Sequence, residues 1–228
     1  VSTVDIPSAR DRAAALVVGV SATAAFVILR VVVALGGHEP LAVDIWWHDL
    51  MASAVSDVGI VIAWIPAVVG GTIGMIVVGA VLILLLLWRR RRWDAATLAI
   101  AMVAVVAIGA TMAAVIGRTR PPDSLAERMA TSFPSGHTAV AATVAIVLAL
   151  VLRRWYVWAL GAIWILLMMW SRAYLQAHWL SDVVAGMLEG VAVATLVWIA
   201  VEAARDRHAV RSVGVASPEQ PIEGAVNS

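Results

Sequence analysis

Three short stretches of this chain concentrate residue types that can do chemistry on an anionic substrate. The first is Gly117-Arg118-Thr119-Arg120-Pro121-Pro122, the second Phe133-Pro134-Ser135-Gly136-His137-Thr138, and the third Ser171-Arg172 with His178 and Asp182 after it. Arg118, Arg120 and Arg172 offer planar forks of donors that match phosphate oxygens. Pro134-Ser135-Gly136 opens a helix, so unpaired backbone N–H groups and the positive dipole end face the ligand, and Gly136 permits close approach. His178 and Asp182 lie four residues apart at the start of an apolar run and share a helix face. The carboxylate can hold one imidazole nitrogen and leave the other free to attack. His137 is a second histidine, available as the proton donor. A nucleophile, its orienting acid, a general acid and a cationic cradle make a phosphoryl-transfer set.

The elements that must position these residues are membrane spans. Of 228 residues, 62% are hydrophobic and 14% charged, which excludes an ordinary soluble domain. Apolar runs of about 20 residues recur along the chain. Six spans are expected, over residues 13–35, 60–88, 95–117, 137–152, 156–170 and 182–203, forming an all-α bundle. The second run holds Pro66 and Gly70-Gly71, and residues 46–57 before it, with its first part, read as an amphipathic helix on the outer surface. The first run follows Arg10 and Arg12, is too long for a leader core, and reads as a retained anchor. Residues 1–12 then form a cytoplasmic N-terminal tail, 13–204 the membrane domain, and 205–228 a polar, disordered cytoplasmic tail.

The arginines orient the bundle. Arg10, Arg12, Arg89–Arg92, Arg153, Arg154, Arg205, Arg207 and Arg211 all fall on one side, which places both termini in the cytoplasm. Trp88, Trp93, Trp155 and Trp158 mark that boundary; Trp46, Trp47, Trp170 and Trp179 mark the outer one. Arg118, Arg120, Arg128 and Arg172 are the minority on the outer side, and three of the four sit in the polar stretches above. All three stretches therefore share one face of the membrane. Cysteine and lysine are absent, so thiol chemistry does not enter. Nothing in the chain resembles a nucleic-acid-binding surface.

The stretches resemble the signature of the type 2 phosphatidic acid phosphatase and vanadium haloperoxidase superfamily, Lys-x6-Arg-Pro, Pro-Ser-Gly-His and Ser-Arg-x5-His-x3-Asp. Pro134-Ser135-Gly136-His137 and Ser171-Arg172, His178, Asp182 match at every defined position. The first motif matches at Arg120-Pro121, while Ala113 stands where the family has lysine, and Arg118 is the nearest cation to take its place. The resemblance implies that His178 becomes phosphorylated, with Asp182 orienting it. It implies that His137 protonates the leaving oxygen and then activates water. Arg120, Arg172, Ser135 and the Gly136 backbone would hold phosphate, with no metal and no cofactor. The expected substrate is a lipid phosphate or diphosphate from the outer leaflet of a bacterial plasma membrane. A polyprenyl diphosphate comes first, then phosphatidylglycerol phosphate or phosphatidic acid.

Two other functions fit part of this pattern. A lipid phosphotransferase would pass the same phosphohistidine to an alcohol, and a non-enzymatic lipid-binding or transport protein would explain the spans alone. Spans without a soluble scaffold argue against a haloperoxidase. His38 and His48 read as solvated loop residues, Arg128 as a surface charge, and Ser171 as a residue that positions its loop. Arg30 and Glu189 lie inside spans one and six, roughly 8–10 Å below the outer surface by helical rise, where two arrangements are expected equally: they pair, or each reaches water separately.

Overall fold

The computed structural model describes residues 7–126 and 131–215, and every regular element among them is helical. Eight helices follow in order: α1 (Ala9–Leu35), α2 (Ala42–Ser53), α3 (Asp57–Val69), α4 (Thr72–Trp88), α5 (Arg92–Ile116), α6 (Gly136–Leu152), α7 (Trp155–Tyr174) and α8 (Leu180–Val215). Arg128 lies outside the described residues, as does the tail beyond 215. By length and composition α1, α5, α7 and α8 can each cross a membrane, and α3 with α4 form a pair bent by 49° that counts as a fifth. The fourth expected span, α6, has 17 residues and is shorter than that. The bend falls where Pro66 and Gly70-Gly71 stand, residues that respectively remove a helical donor and loosen the backbone.

Local sequence sets several boundaries. Ser8 and Asp11 make a reciprocal capping box that starts α1 at Ala9, four residues before its apolar run. Gly117 ends α5 in the left-handed region at φ 56°, where glycine carries no Cβ penalty. The largest difference from expectation is at the end of α8. Its 36 residues span about 54 Å, and the charged stretch read as the start of a tail continues the helix. That stretch has a helical partner: Arg12 of α1 reaches Asp206, with Glu202 at 3.9 Å.

The centre of the bundle is α6 against α8, with α1, α5 and α7 around them. Small residues make this contact possible. A Cβ at Gly186 would fall 2.4 Å from the Ser135 carbonyl oxygen, and one at Gly190 would fall 2.4 Å from that of Ala139. Leu98, Ala101 and Val105 of α5, Val147 of α6 and Ala194 and Trp198 of α8 fill one buried cluster. A second holds Phe26, Val33, Ile116, Phe133 and Ala185, with Phe26 and Phe133 stacked at 6.2 Å. Outward faces carry exposed Val17, Ile28, Val61, Ile73, Val103 and Leu166, the apolar mantle expected of a protein that sits in lipid.

The four arginine groups meet at one end of the bundle. Arg12 joins α8, Arg91 pairs with Asp94 at 2.5 Å and donates to the Val151 carbonyl at 2.9 Å, and Arg153 pairs with Asp11 at 2.6 Å. The expected pairing of Arg30 with Glu189 is absent. Glu189 is 2% exposed, faces Gly109 of α5, and neither of its oxygens has a hydrogen-bond partner; Arg30 Nε is likewise buried without one.

Candidate active site

The three polar stretches meet at the other end, and backbone groups stitch them together. The Ser132 N–H donates to the Arg118 carbonyl at 2.8 Å, and the Ser135 N–H donates to the Asp182 carbonyl at 3.0 Å. Trp179 Nε1 donates to the Thr119 carbonyl at 2.9 Å. The close seating of Gly186 and Gly190 therefore brings the start of α6 onto the start of α8, and the stretch after α5 is laced across both.

His178 occupies the turn just before α8 and is 4% exposed. Its Nδ1 lies 2.8 Å from the Ser132 carbonyl oxygen. A carbonyl only accepts, so Nδ1 carries the proton and Nε2 keeps its lone pair. Arg120 Nη1 stands 3.2 Å from that Nε2 and donates to the Ala177 carbonyl at 2.7 Å. Burial holds the imidazole below its ordinary pKa; the Asp182 carboxylate opposes the shift, and the charges of Arg120 and Arg172 reinforce it. The result is a neutral imidazole whose unprotonated nitrogen accepts from an arginine.

Asp182 was expected to hold that imidazole directly. Instead its Oδ2 is 3.8 Å from Nδ1, beyond hydrogen-bond reach, and accepts from the Trp179 N–H at 3.0 Å. The reason is local. His178 precedes α8, so the four-residue spacing does not stack the two side chains on one helical face. Ser132, which no motif singles out, orients the ring in its place.

Arg118 was expected among the phosphate binders, and its geometry does not fit that role. It is fully buried, and all five of its N–H donors have partners inside the protein. Nε donates to the His38 carbonyl at 3.3 Å. Nη1 donates to Ser181 Oγ at 2.7 Å and Asp182 Oδ1 at 2.6 Å, and Nη2 to the Glu39 carbonyl at 3.2 Å and Asp44 Oδ2 at 2.7 Å. It cannot supply the cation that Ala113 lacks.

The remaining expected residues lie on the helix ends that meet here. Arg172 ends α7, is 1% exposed, and its carbonyl accepts from the Ala177 N–H at 3.0 Å. Ser171 beside it donates to the Ala63 carbonyl at 2.6 Å and so ties α7 to α3. Ser135 Oγ accepts from Thr138 Oγ1 at 3.1 Å, which leaves its own hydroxyl proton to donate elsewhere. Gly136 is exposed at the first position of α6, where helical N–H groups lack internal partners. His137 follows it, half-buried, and a Cβ on Gly71 would sit 3.7 Å from its Nε2, so the α3–α4 bend flanks that ring.

Two residues on α2 were missed. His48, read as solvated, lies 3.3 Å from Asp123 and its ring centroid is 5.3 Å from that of Trp179. Asp44 reaches Arg118 and Ser181. A lone carboxylate between apolar Val43 and Ile45 was the available signal.

Residues 113–206 match the PAP2 superfamily. The matched region is the one that carries the site. It contains Arg118, Arg120, the helix start at Gly136, Arg172, His178 and Asp182, and leaves α2 outside. A protein of Sulfolobus acidocaldarius named undecaprenyl-diphosphatase is 38% identical over 114 residues, which make up 47% of this chain and 55% of that protein. The chain thus spans about half the length of that relative. The crystal structure of a transmembrane PAP2 type phosphatidylglycerolphosphate phosphatase from Bacillus subtilis is similar at a TM-score of 0.71 with 20% identity. The likeness covers 83% of this chain and 96% of that one, so the PAP2 fold extends beyond the matched region to most of the helices described above.

Proposed function

We propose that this chain is an integral membrane phosphatase that hydrolyses a lipid diphosphate or phosphate through a phosphohistidine at His178. The observation that carries this reading is the His178 ring, whose Nδ1–H is held by the Ser132 carbonyl while the Nε2 lone pair points at Arg120 and accepts from its Nη1 at 3.2 Å, the arginine that would hold the phosphoryl group. In the first step Nε2 forms a bond to phosphorus as the bond to the leaving oxygen breaks, and His137 gives that oxygen a proton. In the second, water attacks the phosphohistidine, His137 takes the water's proton, and the P–N bond breaks to release inorganic phosphate. Arg120, Arg172, the Ser135 hydroxyl and the Gly136 N–H hold the phosphoryl oxygens as charge develops. With Ala113 at the family's lysine position and Arg118 engaged elsewhere, the two arginines carry most of that charge.

A polyprenyl diphosphate is the first substrate, a preference that the name of the Sulfolobus relative supports; phosphatidylglycerol phosphate and phosphatidic acid follow. The bundle is read as six crossings, with α6 as a short central span buried by its neighbours and α3–α4 as one bent span. The arginine-rich end then lies in the cytoplasm and the site faces the outer leaflet, which supplies substrate sideways. Phosphate release from these three lipids by purified protein, with EDTA present, tests the reading. Release that survives EDTA and is lost in His178→Ala is expected. Release from none of them, or undiminished release by His178→Ala, would overturn it. Incorporation of labelled water oxygen into the released phosphate is expected for hydrolysis, whereas transfer to an added alcohol would point to a phosphotransferase.

A further inference from the structure

Asp44 is the one residue of α2 that is fully buried, on a helix whose Val43, Ile45, Trp46 and Leu50 are exposed. A helix normally docks by burying apolar side chains, whereas this one leaves its Met51 only half-buried against α3 and α7 and buries a carboxylate completely. Asp44 accepts four hydrogen bonds. Oδ1 takes the Ser181 N–H at 2.7 Å, and Oδ2 takes Ser181 Oγ at 2.8 Å, Arg118 Nη2 at 2.7 Å and the Leu41 N–H at 2.9 Å. Arg118 in turn grips Asp182 with its other terminal nitrogen. One guanidinium is thus shared by two buried carboxylates, and the first turn of α8 is capped by an acid from another helix.

We propose that Asp44 is a positioning residue for phosphoryl transfer: through Arg118 and the start of α8 it fixes Asp182 and the turn that carries His178. The inference rests on the reading of His178 as nucleophile. Asp182 holds the Trp179 N–H, and Trp179 follows His178, so any shift in the Arg118–Asp182 grip passes into the ring next door. A displacement of about 1 Å of a reacting group can cost about 10²-fold in rate. The electrostatics point the same way. The charges around His178 are those of Arg120 after α5, Arg172 of α7 and Asp182 of α8 with Arg118 behind it, and His48 of α2 lies against Trp179, the next residue in the chain. Removing the Asp44 charge leaves Arg118 balanced by Asp182 alone, which makes these surroundings more positive and protonation of His178 harder.

Asp44→Asn keeps the size of the side chain and removes its charge. The expected result is kcat lowered about tenfold or more with KM for the lipid unchanged, and a His178 titration midpoint shifted to lower pH. The midpoint is read by nitrogen NMR of histidine-labelled protein. The NMR measurement needs no substrate, so it stands even if wild type hydrolyses none of the lipids tried, an outcome that would sink the proposed function alone. Trp46→Ala, on the exposed face of the same helix, is expected to leave kcat and midpoint unchanged. A kcat within twofold of wild type, a change in KM alone, or a loss of thermal stability with an unmoved midpoint would each overturn the proposal. If Asp44→Asn does not fold, Ser181→Ala decides, because it deletes one donor to Asp44. Smaller shifts in the same directions are expected, and none at all would overturn it.

Discussion

Arginine does opposite work at the two ends of this bundle. At the proposed cytoplasmic end, Arg12, Arg91 and Arg153 meet Asp206, Asp94 and Asp11 with side chains 27–33% exposed on the arginine side. At the site end, Arg118 meets Asp44 and Asp182 with all three side chains at 0% exposure. Both ends show close ion pairs, but solvent makes them different objects. An exposed pair exchanges with water and is screened by salt, so it contributes little. A buried guanidinium between two carboxylates has no alternative partner, so removing any member leaves a desolvated charge unmatched. By the proposed reading, charge at the first end orients the chain and charge at the second holds the catalytic turn in place.

The sharpest way to break this contrast is Arg118→Ala. It strands two buried carboxylates and is expected to lower stability by about 3–5 kcal/mol and abolish phosphate release. A thermal melt on purified protein checks the first and the lipid assay the second. Gly190→Leu comes next. Its side chain would meet the Ala139 carbonyl and push α6 from α8, with an expected loss of about 1–3 kcal/mol, since neighbouring backbone cannot move aside cheaply. Activity should fall with it, because the same contact brings Ser135 against Asp182.

A third prediction concerns pH. In the proposed mechanism His178 attacks in its neutral form, and burial holds its pKa below the ordinary imidazole value of about 6.5. Activity should therefore hold down through that value and fall only as pH drops below it. An acid limb centred above about 6.5 in a kcat/KM profile would contradict the assignment of burial and the two arginines as its cause. The smallest effect is at the opposite end. Arg12→Ala should leave activity unchanged and move the melting temperature by no more than about 2–4 °C. A large loss there would erase the difference between the ends.

Much of this was legible in the chain, and the limits are physical. Apolar runs fix where helices lie, so α1, α5, α7 and most of α8 follow from the sequence. The Pro66 and Gly70-Gly71 interruption marked the bend in the long second run. Motif spacing singled out His178, Asp182, Arg120 and Arg172, which the fold brings together, because few local patterns combine histidine, carboxylate and arginine at a span boundary. Geometry across elements was not legible. Helical spacing suggested that Asp182 holds His178, yet the helix begins two residues after the histidine, and a backbone carbonyl, invisible in any sequence pattern, takes that bond. Arg118 looked like a phosphate ligand because residue type does not reveal which partners have already claimed its donors. Asp44 and Arg118 are 74 positions apart, and only the packing of α2 on α8 joins them. The end of α8 was placed short because charged residues end an apolar run without ending a helix. Arg30 and Glu189 were matched by depth alone, and rotation about the α8 axis turns the glutamate toward α5 instead.

The most direct test of the central claim is to quench turnover of a phosphorus-labelled lipid substrate in alkali, where a phosphoramidate survives, and to map the label by peptide mass spectrometry. Label on His178 in the wild type, and none in His178→Ala, is the predicted result. Continued turnover with label on another residue, or with none retained on the protein when wild type is quenched within its first turnover, would contradict it.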